Sequence, residues 1–311
     1  MHSTTDSKSP AQRPASARAL KGVRVLSLAL NLPGPAALMR CRQMGANCVK
    51  VEPPPAPGAL PGTPGDPMGI YNPQAYATLH QGVRVVSADL KADAGQRLVQ
   101  RELARADVLL SSFRPSAMKR LGLDWKTLHR NYPALSQVAI VGALGARAEE
   151  PGHDLTYLAQ SDLVPGLDLP ATLYADMGGS LAASEAVLQA ALLQQRNGRG
   201  LYLEVALSEA ASYLAFPRKW GLTTPGAAVG GGHAGYRMYR CKDGRVAVAA
   251  LEPHFAARWC ALAGAPASSR MALFDPVTHE IIQAWLLTLN RRALDELARA
   301  HDLPLHTLAP S

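Results

Sequence analysis

The stretch "GVRVLSLALNLPGPAALMRCRQMGANCVKVEPP", residues 22–54, limits the fold more than any other part of the chain. An apolar, β-rich run (22–30) meets the turn "NLPGP". Apolar residues at helical spacing follow and stop at Gly45. A second strand then ends on prolines. Strand, helix, strand at this spacing is a β-α-β unit. Its two strands must lie parallel, joined by a right-handed crossover, because only that hand packs the helix back onto a twisted sheet.

The alternation continues. "VRVVSADL" (83–90) reads as a strand, "DAGQRLVQRELARA" as an amphipathic helix and "DVLLSSF" as a strand. "SAMKRLGLDWKTLHRNYP" reads as a helix–turn segment and "LSQVAIVGA" as another strand. Four strand–helix alternations predict an α/β fold with a parallel, Rossmann-like sheet. "PPAPGALPGTPGDPMG" (54–69) reads as a long loop without regular structure, since Pro and Gly interrupt it throughout. A helix follows from "YADMGGS" to "RNG", with Gly198 just past its end. "LYLEVAL" is a strand and "SEAASYLAF" a helix. "PRKWGLTTPGAAVGGGHAG" (217–235) reads as a linker. Next comes a hairpin turning at Lys242-Asp243-Gly244, and two helical segments complete the chain. This predicts a disordered tail (1–18), a Rossmann-like large domain (19–216) and a smaller α+β domain (217–311).

Composition narrows the partner. The chain carries 32 basic and 24 acidic residues, a net charge of +8, which favours an anionic ligand. The basic residues are scattered rather than interleaved with aromatics, so a phosphate-rich small molecule is expected and nucleic acid is not. Cys41, Cys48, Cys241 and Cys260 form no CxxC and have no histidine at zinc spacing. No metal site is expected, and reduced thiols in a cytoplasmic protein are. No apolar run reaches the roughly 18 residues of a membrane span. Residues 1–18 have no apolar centre, so they do not read as a secretory signal.

Three short stretches hold the candidate chemistry. In "GHDLTY" (152–157), His153 is a catalyst or a satisfied structural histidine, and Asp154 reads as the cap of a helix beginning at Leu155. In "YADMGGS", Asp176 is an N-cap, or a carboxylate that a ligand can approach over the two glycines. The helix N-terminus favours its ionised form. In "AALEPHF", Glu252 sits at the end of an apolar strand, either at the rim or functional, with His254 beyond Pro253. "GGGHAG" (230–235) matches G-x-G-x-x-G as a string. It precedes a hairpin rather than joining a strand to a helix, so it is not a dinucleotide site. G-x-S-x-G and Walker A loops do not occur.

Taken in order, "LKGVRVLSLALNLPGPAALMRCRQMGANCVKVEPP", "ADLKADAGQRLVQRELARADVLLSSFRPSAMKRLGLDWKTL", "GHDLTYLA", "ADMGGS", "GRGLYLEVALSEAASYL" and "YRMYRCKDGRVAVAALEPHF" resemble the family III CoA-transferases. That group includes formyl-CoA and carnitine CoA-transferases and α-methylacyl-CoA racemase. The resemblance implies a CoA thioester substrate on the large domain, no tightly bound cofactor, and an interlocked homodimer. It implies CoA contacts for Arg114, Lys91, Arg84 and Tyr157. It places the family's essential aspartate at Asp176, as acyl-anhydride nucleophile in a transferase or α-proton acid/base in a racemase. It adds His153 as the second acid/base, Glu252 as the partner of His153, and amides near Gly178 as enolate stabilisers. The chain departs from the family pattern in "HQGVR", in "GALGARAEEPG", and in the short span from His153 to Asp176. The resemblance thus implies α-proton transfer on a 2-methyl-branched acyl-CoA, with CoA transfer through Asp176 or a non-catalytic CoA-binding paralogue as the alternatives.

Overall fold

The computed structural model describes residues 18–60, 62–266, 269 and 271–310, so the tail reading for 1–18 lies almost wholly outside the described residues. The chain divides into two compact units after Leu214.

The first unit runs β1 (Arg24–Ser27), α1 (Pro33–Gln43), β2 (Asn47–Glu52), α2 (Pro67–Tyr71), α3 (Pro73–Leu79), β3 (Arg84–Ser87), α4 (Asp93–Leu103), β4 (Val108–Ser111) and α5 (Pro115–Arg120). It continues with α6 (Trp125–Asn131), β5 (Ser136–Val141), α7 (Asp154–Gln160), α8 (Tyr174–Asn197), β6 (Tyr202–Ala206) and α9 (Leu207–Leu214). The strands form one sheet in the order β3-β2-β1-β4-β5-β6, every pair parallel. This is the doubly wound order, whose direction reverses between β1 and β4.

Helices cover both faces, so the central strands are apolar nearly throughout. Val25, Val108, Leu110 and Ile140 face α1 and α8 on one side. Leu26 and Leu109 face the Val99 and Leu103 side of α4 and the Leu128 side of α6 on the other. α8 lies close to the sheet because Ala183, Ala186 and Ala190 line its buried face. It ends at Gly198, whose φ of 68° lies in the left-handed region.

The second unit contains α10 (Phe216–Lys219), β7 (Tyr236–Cys241), β8 (Gly244–Ala249), α11 (Pro253–Ala263), α12 (Pro276–Leu287), α13 (Arg291–His301) and β9 (Leu305–Leu308). Its sheet is antiparallel in the order β7-β8-β9. Trp259, Ile282, Leu286 and Leu294 fill its core.

Three local readings are corrected. The 54–69 stretch ends in α2, because Pro67 occupies the first helical position, where its missing N–H costs nothing, and Asp66 caps the turn by accepting from Met68 N–H at 2.9 Å. The 217–235 segment overlaps α10 and holds a 3-10 turn at Ala228–Gly230. Among the described residues, the hairpin is followed by α11, a 3-10 turn at Met271–Phe274, α12, α13 and β9 rather than by two helical segments. β9 is only four residues long, and the open edge of β8 supplies its order.

The Pro/Gly-rich loop is anchored by a buried ionic cluster that pattern reading missed. Lys50 and Glu52 alternate along β2, and Lys50 is fully buried. The Lys50 ammonium meets the Asp66 carboxylate, lies 2.9 Å from His80 Nε2 and 3.4 Å from Glu52 Oε2. Glu52 also accepts from Gly65 N–H at 3.0 Å and the Tyr76 hydroxyl at 3.1 Å. Burial, then the Lys50 charge, pushes the His80 pKa down, which favours the uncharged ring. Removing one member of such a cluster strands the others without a counter-charge. Lys50→Met is expected to cost about 3–5 kcal/mol, read as a lower urea midpoint.

Candidate active site

The carboxyl ends of the strands converge where the sheet order reverses, and a cleft opens there. Leu30 and Asn31 follow β1, Ser112 and Phe113 follow β4, and Gly142 follows β5. His153, Tyr157, Arg114 and Asp176 line the same cleft. The diverging loops are tied together, since Leu30 N–H donates to Ser112 Oγ at 3.1 Å. Asn31, at φ 64°, donates its N–H to Asp66 Oδ1 at 3.1 Å. The buried cluster thereby holds the β1 side of the cleft.

His153 is the N-cap of α7 and is exposed to the cleft. Its backbone N–H donates to Thr156 Oγ1 at 3.1 Å, while Thr156 N–H donates back to His153 O at 2.9 Å. Asp154 therefore does not cap its own helix. It is 5% exposed, and its Oδ1 accepts from Asp176 N–H at 2.9 Å. The first amides of a helix lack intrahelical partners, and Leu173, the N-cap of α8, has no capping side chain. Asp154 fills that place from another helix.

Asp176 is then the third residue of α8 rather than its cap. Its carboxyl is pushed up to about 6, first by burial and next by the Asp154 charge, with His153 acting in the opposite direction. The helix N-terminus alone would favour a low value, and burial outweighs it. Gly178 sits in the second turn of α8, where its amide belongs to the helix ladder, so it does not supply a free N–H for an enolate.

Tyr157 is 6% exposed, and its hydroxyl is wedged between two glycines. A Cβ on either Gly142 or Gly152 would lie 2.4 Å from Tyr157 Oη. Burial, then the Asp176 charge, raises the Tyr157 pKa, and Arg114 opposes them. Arg114 stands directly before α5 at the cleft rim and has no salt bridge among the described residues.

The remaining sequence candidates lie elsewhere. Arg84 is the first residue of β3, at the amino end of the sheet, and pairs with Glu102 Oε1 at 2.7 Å. Parallel strands all begin at the edge opposite the cleft, so Arg84 does not line it. Lys91 lies in the turn after β3 with an exposed side chain, its N–H bonded to Asp89 Oδ1 at 2.9 Å. Glu252 belongs to the second unit, where it starts α11 with an exposed carboxylate. Sequence reading missed Asn31, Ser112, Asp154 as an α8 anchor, and the carboxylates of Glu149 and Glu150. Only the last pair carries a local signal, the charged run in "GARAEEPG". Among the described residues, no helix is long and apolar enough to cross a membrane.

Comparison with known proteins agrees on one group. The model of CoA-transferase family III matches residues 20–310. The chain is 32% identical to α-methylacyl-CoA racemase of Mus musculus over 76% of its own length and 62% of that protein. It is 31% identical to succinyl-CoA–D-citramalate CoA-transferase of Chloroflexus aurantiacus over 64% of its length, spanning about half (51%) of that relative. A CaiB/BaiF family protein from Brucella suis has the same fold, with a TM-score of 0.75, 21% identity, and 92% and 82% of the two chains covered.

Proposed function

The chain belongs to CoA-transferase family III, and on that premise we propose that it is an acyl-CoA-utilising enzyme that moves the α-proton of a 2-methyl-branched acyl-CoA between Asp176 and His153. One observation carries this reading: the half-buried Asp176 carboxyl, whose pKa burial pushes up to about 6, shares a cleft with the exposed His153 imidazole. A carboxyl at that value is ionised at neutral pH yet basic enough to take a proton. One of the two groups removes the α-proton, and the electron pair passes to the thioester oxygen. The other returns a proton to the opposite face of the planar enolate, giving the second epimer. Glu252, in the second unit, keeps its catalytic assignment on resemblance alone.

Arg114 is assigned to the CoA phosphates, its guanidinium standing at the rim without a salt bridge among the described residues. Arg114→Gln is expected to weaken CoA binding about ten-fold or more, measured by calorimetry. Lys91 keeps its assignment to CoA on resemblance alone, and Tyr157 is assigned to the thioester end. Arg84, at the opposite edge of the sheet, is left out of the cleft assignment.

The proposal includes a second copy of the chain, interlocked with the first. Tyr174, Met177, Leu181 and Leu192 recur at helical spacing along an uncovered face of α8, beginning beside Asp176. It also includes a cytoplasmic setting, which the four buried, unpaired cysteines suit.

A second reading rests on the same carboxylate. Asp176 attacks the thioester carbonyl and expels CoA as the thiolate, forming a mixed anhydride; the thiolate then attacks the Asp176 carbonyl, freeing the original acid and leaving an aspartyl-CoA thioester, from which an acceptor carboxylate takes the CoA by the same two steps in reverse. Relatives of both kinds match the chain. Incubation of a 2-methyl-branched acyl-CoA in heavy water separates them. The racemase reading expects deuterium at Cα without an added acid. Label moving from CoA thioester to an added carboxylic acid, with no deuterium uptake, overturns it in favour of transfer.

A further inference from the structure

The loop after β5 carries a charged segment whose structural role is visible. Its "GARAE" segment forms a 3-10 turn at Gly145–Glu149 that reaches across to the start of α5. There both oxygens of one carboxylate are engaged. Glu149 Oε1 accepts from Ser116 N–H at 2.6 Å, and Glu149 Oε2 accepts from the Ser116 hydroxyl at 2.9 Å.

Ser116 lies two residues after Arg114, with only Pro115 between them. The pyrrolidine ring fixes φ at Pro115, so anchoring Ser116 limits the direction in which Arg114 leaves the backbone. The nearby Arg114 and Arg120 charges help hold the Glu149 carboxyl below its ordinary range, though the Ser116 N–H bond is the larger cause. The carboxylate is nonetheless committed to Ser116, and Arg114 has no salt bridge among the described residues.

We propose that Glu149 is a positioning residue: by clasping Ser116 it ties the β5 loop to the start of α5 and aims Arg114 at the phosphates of the CoA thioester. This rests on the reading of the cleft as a CoA site. The occupant it discriminates is a phosphorylated thiol ester, as against the same acyl group on pantetheine, which has no phosphate for Arg114.

The test uses the full-length protein and two substitutions at one exposed position. Glu149→Ala is expected to raise the dissociation constant for free CoA about five-fold, the effect of losing one helix-start bond pair. The acyl-CoA KM should rise equally, with kcat unchanged. Glu149→Gln keeps an amide oxygen for the Ser116 N–H and an amide nitrogen toward its hydroxyl, so it should restore near wild-type binding. The KM for the acyl-pantetheine thioester should not change. In an Arg114→Gln background, Glu149→Ala should add no further loss.

The proposal is overturned if Glu149→Ala binds CoA as the wild type does, or if the phosphate-free thioester loses as much as the CoA thioester. It is also overturned if Glu149→Gln binds more tightly than the wild type, which would make the carboxylate a repulsive charge. If Arg114→Gln itself leaves CoA affinity unchanged, the CoA reading of this rim fails first, a result distinct from failure of Glu149 alone.

Discussion

Asp176→Ala is expected to lower kcat about 10³- to 10⁴-fold on any acyl-CoA the protein accepts, because both proton transfer and anhydride formation run through this carboxylate. Asp176→Asn should fall as far, although it keeps the shape. Anhydride formation, and α-proton removal by Asp176, need the ionised form, so kcat/KM for CoA transfer, and for the epimer from which Asp176 takes the proton, should rise with pH through about 6 and level above it. Asp154→Asn sharpens the test. It can still accept the Asp176 N–H that now reaches Asp154 Oδ1 at 2.9 Å, but it removes the like charge that raises Asp176. The acid limb should therefore move to lower pH. The stability sign is opposite to that of a paired carboxylate. A folded-state value above the unfolded one means the protonated form is favoured by folding, an advantage lost as pH rises through about 6. Asp176→Asn should accordingly be more stable than wild type at pH 7, by urea denaturation. Wild-type turnover by Asp176→Asn would remove this residue from the chemistry.

His153→Ala is expected to lower α-deuterium incorporation about 10²- to 10⁴-fold while leaving CoA affinity within a factor of about two. Its imidazole is exposed at the cleft, and its backbone N–H and C=O bond the first turn of α7, so the helix should persist. His153 also lowers the Asp176 pKa, so residual activity should show an acid limb displaced to higher pH, opposite to Asp154→Asn. A His153→Ala protein that exchanges the α-proton at the wild-type rate would sink the racemase reading. The same protein transferring CoA normally would support the anhydride route.

Much of the large unit was legible in local pattern. Runs such as "VRVLSL" and "VAIV" in alternation with helical spacing require a parallel sheet, because strands with two apolar faces must be covered on both sides. The order of "FRP", "GHD" and "ADMGG" carried the family, now supported along residues 20–310. What local pattern cannot report is which distant groups meet. Asp154 looked like the cap of α7 because capping rules count neighbours in sequence, yet it holds an amide of α8, 22 residues on. Arg84 shared a motif neighbourhood with Lys91, but it begins a strand whose amino end faces away from the cleft. The burial of Lys50 has no local signal in its strand; the return of Asp66 through a Pro/Gly loop, beside Glu52, supplies the counter-charge that makes it tolerable. The amino-acid sequence by itself determined the elements and their alternation, since propensity and periodicity act over a few residues. Tertiary structure alone decided that Asp176, His153, Tyr157 and Arg114 share one cleft and that Asp176 is poised near neutrality. Those properties come from burial and through-space charge, which depend on distance in space rather than along the chain.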